Sequence, residues 1–142
     1  MKFFIATDHA GIEIKPEVSA MLQSLGHEVE DLGPYTNERV DYPDFAHALC
    51  LKVLKNPNTQ GILICGSGIG MSLAANKHVG IRAALCHDAY TAAMARAHND
   101  ANVLCFGQRI VGLGVIESML AAWCNTSFEG GRHALRVEKI EV

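Results

Sequence analysis

The chain has 142 residues, 49% hydrophobic and 19% charged, with a formal net charge of -3 from 12 Lys and Arg against 15 Asp and Glu. That composition excludes a disordered chain and suits one globular domain spanning residues 1–142. It offers no basic face for nucleic acid and no apolar run long enough to cross a membrane, although a few placed arginines can bind a small anion whatever the net charge.

Lys2 to Ala6 predicts a first strand, followed at once by Thr7, Asp8 and His9, which makes the opening apolar run too short for a signal peptide. From Ile12 to Leu25 the apolar residues Ile14, Val18, Met21, Leu22 and Leu25 fall on one helical face. Pro16 stands early, where a helix tolerates it, and Gly26 follows as a C-cap. Glu28 to Leu32 is a weaker strand, residues 34 to 43 a loop, and Asp44 to Lys55 a helix ended by Asn56-Pro57-Asn58. Gly61 to Cys65 is the clearest buried strand, and Gly66-Ser67-Gly68-Ile69-Gly70 follows it directly. Met71 to Lys77 reads as a helix, Ile81 to Cys86 as a strand, and Asp88 to His98 as an Ala-rich helix N-capped by Asp88. Asn102 to Phe106 is the fifth strand, Val115 to Cys124 a further helix, and Gly130-Gly131-Arg132-His133 precedes a mixed-charge tail.

This alternation predicts an α/β fold with a mostly parallel five-stranded sheet, helices on both faces and right-handed crossovers. Ligands on such sheets bind beyond the carboxyl ends of the strands. That edge carries Thr7-Asp8-His9, Cys65-Gly66-Ser67 and Cys86-His87-Asp88, with the residues after Phe106 nearby. The cysteine count is five, an odd number, and Cys65, Cys86 and Cys105 lie in or at the end of apolar runs. Reduced thiols in a cytoplasmic protein fit this better than a disulfide framework.

Gly66 to Gly70 opens a helix straight after a buried strand, so backbone N–H groups can approach an anion or a developing oxyanion there. A dinucleotide fingerprint does not fit, because the third glycine falls two residues after the second. A cysteine phosphatase loop does not fit either, since Met71 stands where the phosphoryl-binding arginine is needed. Cys65 ends a strand at the positive end of a helix, a setting that favours the thiolate. A small core residue fits that position as well, and what sets Cys65 apart from Cys86 and Cys105 is the Gly-Ser-Gly that follows it. Asp8 and His9 read equally as turn and capping residues, and His98-Asn99-Asp100 reads locally as a helix C-terminus. Arg132 and Arg136 share a face if their segment is helical, forming either a phosphate clamp or surface pairs with Glu138 and Glu141. The seven histidines show no metal-ligand spacing, and no metal is expected.

Taken together, Thr7-Asp8-His9-Ala10-Gly11, Asp41-Tyr42-Pro43, Cys65-Gly66-Ser67-Gly68-Ile69-Gly70, Ala74-Ala75-Asn76-Lys77, Gly80-Ile81-Arg82-Ala83, His98-Asn99-Asp100, Gly107-Gln108-Arg109 and Glu129-Gly130-Gly131-Arg132-His133 resemble the type B ribose-5-phosphate isomerase family. The resemblance runs over nearly the whole chain in the right order. It implies a Rossmann-like three-layer αβα sandwich, no cofactor, and a homodimer, or a tetramer of two paired dimers, with sites at the subunit interface. The implied reaction converts ribose 5-phosphate to ribulose 5-phosphate through an enediolate, a step of the pentose phosphate pathway. By position, Cys65 resembles the base between carbons 2 and 1, and Ser67 assists proton transfer on the oxygens. The backbone of Gly66, Ser67, Gly68, Ile69 and Gly70 forms the anion hole. His98 resembles the acid that opens the furanose ring, Asp8 and Asn99 hold hydroxyls, and His9, Arg109, Arg132 and Arg136 bind phosphate and substrate. A branch of the family lacks the cysteine and uses a glutamate where this chain has Met71, so the chain resembles the cysteine branch. Ser67 stands where relatives often carry Thr and keeps the hydroxyl. Isomerisation of a hexose 6-phosphate such as allose or galactose 6-phosphate, and a non-catalytic sugar-phosphate binding module, are the rival readings.

Overall fold

A computed structural model describes residues 1–142. Its five strands, β1 (Lys2–Thr7), β2 (Glu28–Asp31), β3 (Thr59–Cys65), β4 (Ala83–Leu85) and β5 (Val103–Gly107), form one sheet in the order β2-β1-β3-β5-β4. All four pairings are parallel, one step beyond the mostly parallel sheet expected from the sequence. Six helices connect or follow the strands: α1 (Lys15–Ser24), α2 (Tyr42–Lys55), α3 (Ile69–Ala75), α4 (Ala89–Asn99), α5 (Leu113–Cys124) and α6 (Arg132–Glu138). A single 3-10 turn, His9–Gly11, separates β1 from α1. None of the helices is long and apolar enough to cross a membrane.

The strand pleat sorts side chains into two cores. Phe3, Ile5, Ile62, Ile64, Leu104 and Phe106 face one layer, where Val18 and Leu22 of α1, Ala92 and Ala95 of α4, and Ile116, Leu120 and Trp123 of α5 cover them. Phe4, Ala6, Leu63, Cys65, Val103 and Cys105 face the other, under Leu49 and Val53 of α2 and Met71 and Ala75 of α3. Central strands buried on both faces are what a parallel sheet requires, which is why these runs are continuously apolar. The one buried polar pair under the first layer is satisfied internally: Trp123 Nε1 donates to Gln60 Oε1 at 2.8 Å.

Most element ends, including the start of α2 at Tyr42 and of β3 at Thr59, move by a residue or two from the pattern reading, and three shifts have a clear local reason. Helix α1 begins at Lys15 and not Ile12, because Pro16 sits in its first turn and has no N–H to continue a helix behind it. Strand β4 has three residues where six were expected. Asn102 Oδ1 accepts the Arg82 N–H at 2.8 Å, and the Asn76 side chain bonds both the N–H and the C=O of Ala83, at 2.8 and 2.9 Å. Side-chain amides thus occupy the backbone groups that a longer edge strand would present to a neighbour. Helix α3 starts at Ile69 and stops at Ala75, since Gly68 turns the chain into the helix early and Asn76 is committed to Ala83. Asp88 caps α4 as expected, accepting the Thr91 N–H at 2.7 Å.

Candidate active site

A cleft of about 540 Å³ opens at the carboxyl ends of β1, β3 and β5, lined by Asp8, Cys65, Gly66, Ser67, Ile69, Gly70 and Arg109 together with Tyr42, Leu73 and Ile110. The loop after β3 is held there by the loop after β5. Gln108 N–H donates to the Cys65 carbonyl at 2.9 Å, and Arg109 N–H donates to the Gly66 carbonyl at 3.0 Å. Two glycines permit this closeness. A Cβ on Gly107 would stand 2.5 Å from the Ser67 backbone, and one on Gly68, at φ +80, would stand 2.7 Å from the Phe106 backbone. Gly107→Ala is therefore expected to cost about 1–3 kcal/mol by overpacking and to displace the Cys65 loop. A lowered denaturant midpoint followed by Trp123 fluorescence, with a parallel loss of activity, is the expected result; unchanged values for both would mean the loop is free to move away.

Cys65 is only 5% exposed, yet it lies on the cleft floor. Its Sγ accepts the Gly68 N–H at 3.1 Å, and no other sulfur of the chain accepts a backbone N–H. Such a bond is stronger to a thiolate than to a thiol. The other four cysteines are packing residues. Loss of solvation pushes the Cys50 thiol up to about 12, Cys86 and Cys124 up to about 11, and Cys105 well above its ordinary range.

Ser67 Oγ accepts the Ile69 N–H at 3.2 Å, which leaves its own proton available to a ligand. The N–H groups of Gly66, Ser67 and Gly70 donate to no other group of the protein and belong to the stretch that lines the cleft. An anionic oxygen placed there would meet unspent donors. Asp8 is 7% exposed, uses Oδ1 to accept the Ala10 N–H at 2.9 Å, and so caps the turn while lining the cleft. His9 stands next to it at the same edge, its Nδ1 accepting the Val40 N–H at 3.3 Å and so tying down the loop that leads to Tyr42.

The remaining candidates lie elsewhere. His98 and Asn99 end α4, and α6 carries Arg132 and Arg136. His98 stacks on His133 of α6, with ring centroids 4.2 Å apart. The chain then turns through Asn102, whose carbonyl accepts the Gly61 N–H near the start of β3, and runs along β5 to Gly107, the partner of Cys65 in the ladder. His98 is thus at the amino edge of the sheet and Cys65 at the carboxyl edge, separated by roughly the length of β5, about 15 Å. One chain does not bring them together.

Tyr42, Leu73 and Ile110 were not singled out from the sequence as site residues. The exposed aromatic ring of Tyr42 packs against Gly70 at the cleft mouth. Its presence in the Asp41-Tyr42-Pro43 stretch is the signal that could have found it; Leu73 and Ile110 carry none, being ordinary apolar residues whose exposure appears only in the fold.

Comparison with known proteins gives the family and the fold. The model of the ribose/galactose isomerase family matches residues 3–140. Ribose-5-phosphate isomerase B of Escherichia coli is 47% identical over 139 residues, covering 98% of this chain and 93% of that protein. The structure of the type B ribose 5-phosphate isomerase of Trypanosoma brucei superposes with a TM-score of 0.95 at 47% identity, covering 98% of this chain and 95% of that one. A ribose 5-phosphate isomerase of Thermotoga maritima gives a TM-score of 0.94 at 46% identity, covering 99% and 97%.

Proposed function

Because the chain belongs to the ribose/galactose isomerase family, we propose that it interconverts D-ribose 5-phosphate and D-ribulose 5-phosphate through an enediolate, with Cys65 as the base. The observation that carries the assignment of Cys65 is its sulfur, held by the Gly68 N–H on the floor of a cleft walled by unspent backbone donors.

The reaction moves two protons. The Cys65 thiolate takes the proton from carbon 2 of the open-chain aldose, and the C–H electrons form the carbon 1–carbon 2 double bond while negative charge develops on the carbonyl oxygen. The amides of Gly66, Ser67 and Gly70 stabilise that charge, which is larger in the transition state than in the bound sugar. The Ser67 hydroxyl relays a proton between the two oxygens. The thiol then returns its proton to carbon 1, the electrons of the double bond accept it, and the carbonyl is left at carbon 2. Asp8 and Arg109 orient the sugar from the same chain as Cys65, with His9 at that edge supporting the binding of phosphate and substrate.

The active unit is a homodimer. His98 of the partner subunit opens the furanose ring, Asn99 of the partner subunit holds a hydroxyl, and the partner's Arg132 and the partner's Arg136 bind the phosphate. The separation of about 15 Å between the two edges of the sheet supports this division, since a pentose phosphate needs both groups at once. Phosphate binding then contributes energy that positions the reacting carbons.

The test is to incubate purified protein with ribose 5-phosphate in the presence of chelator and without nucleotide, following ribulose 5-phosphate. Conversion is expected. Failure to convert the pentose, with conversion of allose 6-phosphate or galactose 6-phosphate, would transfer the same mechanism to a six-carbon substrate; failure with all three would remove the catalytic reading.

A further inference from the structure

At the sheet edge opposite this chain's own cleft, the fold assembles a set of donors that linear spacing does not reveal. His98 and His133 stack face to face with 10° between ring planes. Glu129 lies beside both: its Oε1 is 3.4 Å from His133 Nε2 and 3.9 Å from His98 Nε2. The three ligand atoms fall within 4.8 Å of one another. Their backbones are tied together, because the Glu129 N–H donates to the Ala97 carbonyl at 3.0 Å, one residue before His98, and the His133 N–H donates to the Gly130 carbonyl at 3.0 Å. His133 is buried, whereas the side chains of His98 and Glu129 are 40% and 56% exposed, so the cluster has a fixed floor and an open mouth.

A proton satisfies this set incompletely. One imidazolium can pair with the carboxylate, but at 3.9 Å His98 is beyond hydrogen-bond reach of the oxygen it faces, and protonating both stacked rings places like charges in contact. A doubly charged ion satisfies two neutral imidazoles and a carboxylate at once. Tetrahedral coordination at about 2.0–2.2 Å sets ligand atoms roughly 3.4 Å apart. The Glu129–His133 pair already has that spacing; when the exposed His98 ring turns out of the stack, its distance to Glu129 closes by about 0.5 Å and its distance to His133 by at most about 1.4 Å. Two imidazole nitrogens favour zinc or a similar transition metal over magnesium or calcium, and three protein ligands leave a fourth position open.

We propose that His98, Glu129 and His133 form a site for one divalent transition-metal ion, with zinc the best fit, and that occupancy inhibits the enzyme by withdrawing His98. The inhibition rests on the role proposed above for His98; the binding does not. The exposed Arg132 and Arg136 on α6 oppose a cation, so the site belongs to the weak, reversible range and not to structural zinc. The other histidine pair, His47 and His78, already shares a 2.6 Å hydrogen bond and lies in no such three-donor cluster, which makes it the natural control.

The experiment titrates full-length, chelator-stripped protein with zinc chloride in a calorimeter and records the visible spectrum with cobalt(II) in place of zinc. One equivalent per chain is expected, with cobalt bands of a low-coordinate nitrogen–oxygen site. Glu129→Gln and His133→Gln should each weaken binding about tenfold or more, with unchanged circular dichroism, while His47→Gln and Cys65→Ser bind as wild type does. No saturable binding, or binding unchanged in both Glu129→Gln and His133→Gln, overturns the site. Turnover of ribose 5-phosphate should fall over the same zinc concentrations that the calorimeter records. Zinc that binds and responds to Glu129→Gln but leaves turnover intact upholds the site and overturns both the inhibition and the part given to His98.

Discussion

Cys65→Ala is expected to abolish turnover of ribose 5-phosphate while leaving the fold and the binding of the sugar phosphate largely intact. Removing a positioned base costs about 10²- to 10⁴-fold in rate, and nothing else in the cleft can replace it. Asp8 is buried and already accepts a backbone bond, Arg109 is cationic, and the Tyr42 phenol stands at the cleft mouth and not on its floor. The groups assigned to binding, namely the loop amides, Asp8 and Arg109, do not depend on the sulfur. The substitution deletes one atom at the edge of a solvent-filled cleft, so water can take the Gly68 N–H and little stability is lost. Steady-state kinetics should show kcat collapsing with KM little changed. Cys105→Ala and Cys50→Ala serve as comparisons, since these thiols are held protonated by burial and their loss should affect stability, not chemistry. Wild-type turnover in Cys65→Ala would remove the thiol from the mechanism.

The second large effect is recovery of activity on mixing two inactive variants. Cys65→Ala and His98→Asn each disable every site of a homodimer when pure. If each site takes Cys65 from one chain and His98 from the other, a mixed dimer carries one doubly altered site and one intact site. Free exchange of an equimolar mixture gives half mixed dimers, and activity should rise to about a quarter of wild type. A site drawing both residues from one chain predicts no recovery, because every chain in the mixture is defective. Absence of recovery, once subunit exchange has been demonstrated with differently tagged chains, would overturn the shared site.

The physical basis for that second prediction also marks the boundary between pattern and fold. Strand positions were legible because a parallel sheet buries both faces of its central strands, so Lys2–Ala6, Gly61–Cys65 and Asn102–Phe106 stand out as apolar runs wherever they fall in the chain. The glycine loop was legible because only a close backbone approach calls for Gly66, Gly68 and Gly70 directly after a strand. Element ends were less so. Strand β4 is short because the amides of Asn76 and Asn102 take its backbone groups, side-chain contacts across 7 and 20 residues that hydrophobic periodicity does not register.

What the sequence determined by itself is the α/β alternation, the loop that presents Cys65, and the family resemblance carried by its motifs. The sheet-edge rule also placed Asp8, Ser67 and the residues after Phe106 together, and only the tertiary structure decided that His98, Asn99, Arg132 and Arg136 do not join them within one chain. Asp8, Ser67 and Arg109 meet at one edge of the sheet because parallel strands deliver their carboxyl ends to the same side. His98 is sent to the other edge because α4 runs back antiparallel to the strands before β5 begins, and Glu129 and His133 join it there through the packing of α6 on α4. Residue spacing records the order of groups along a chain, whereas catalysis and metal binding depend on distances that the crossovers set.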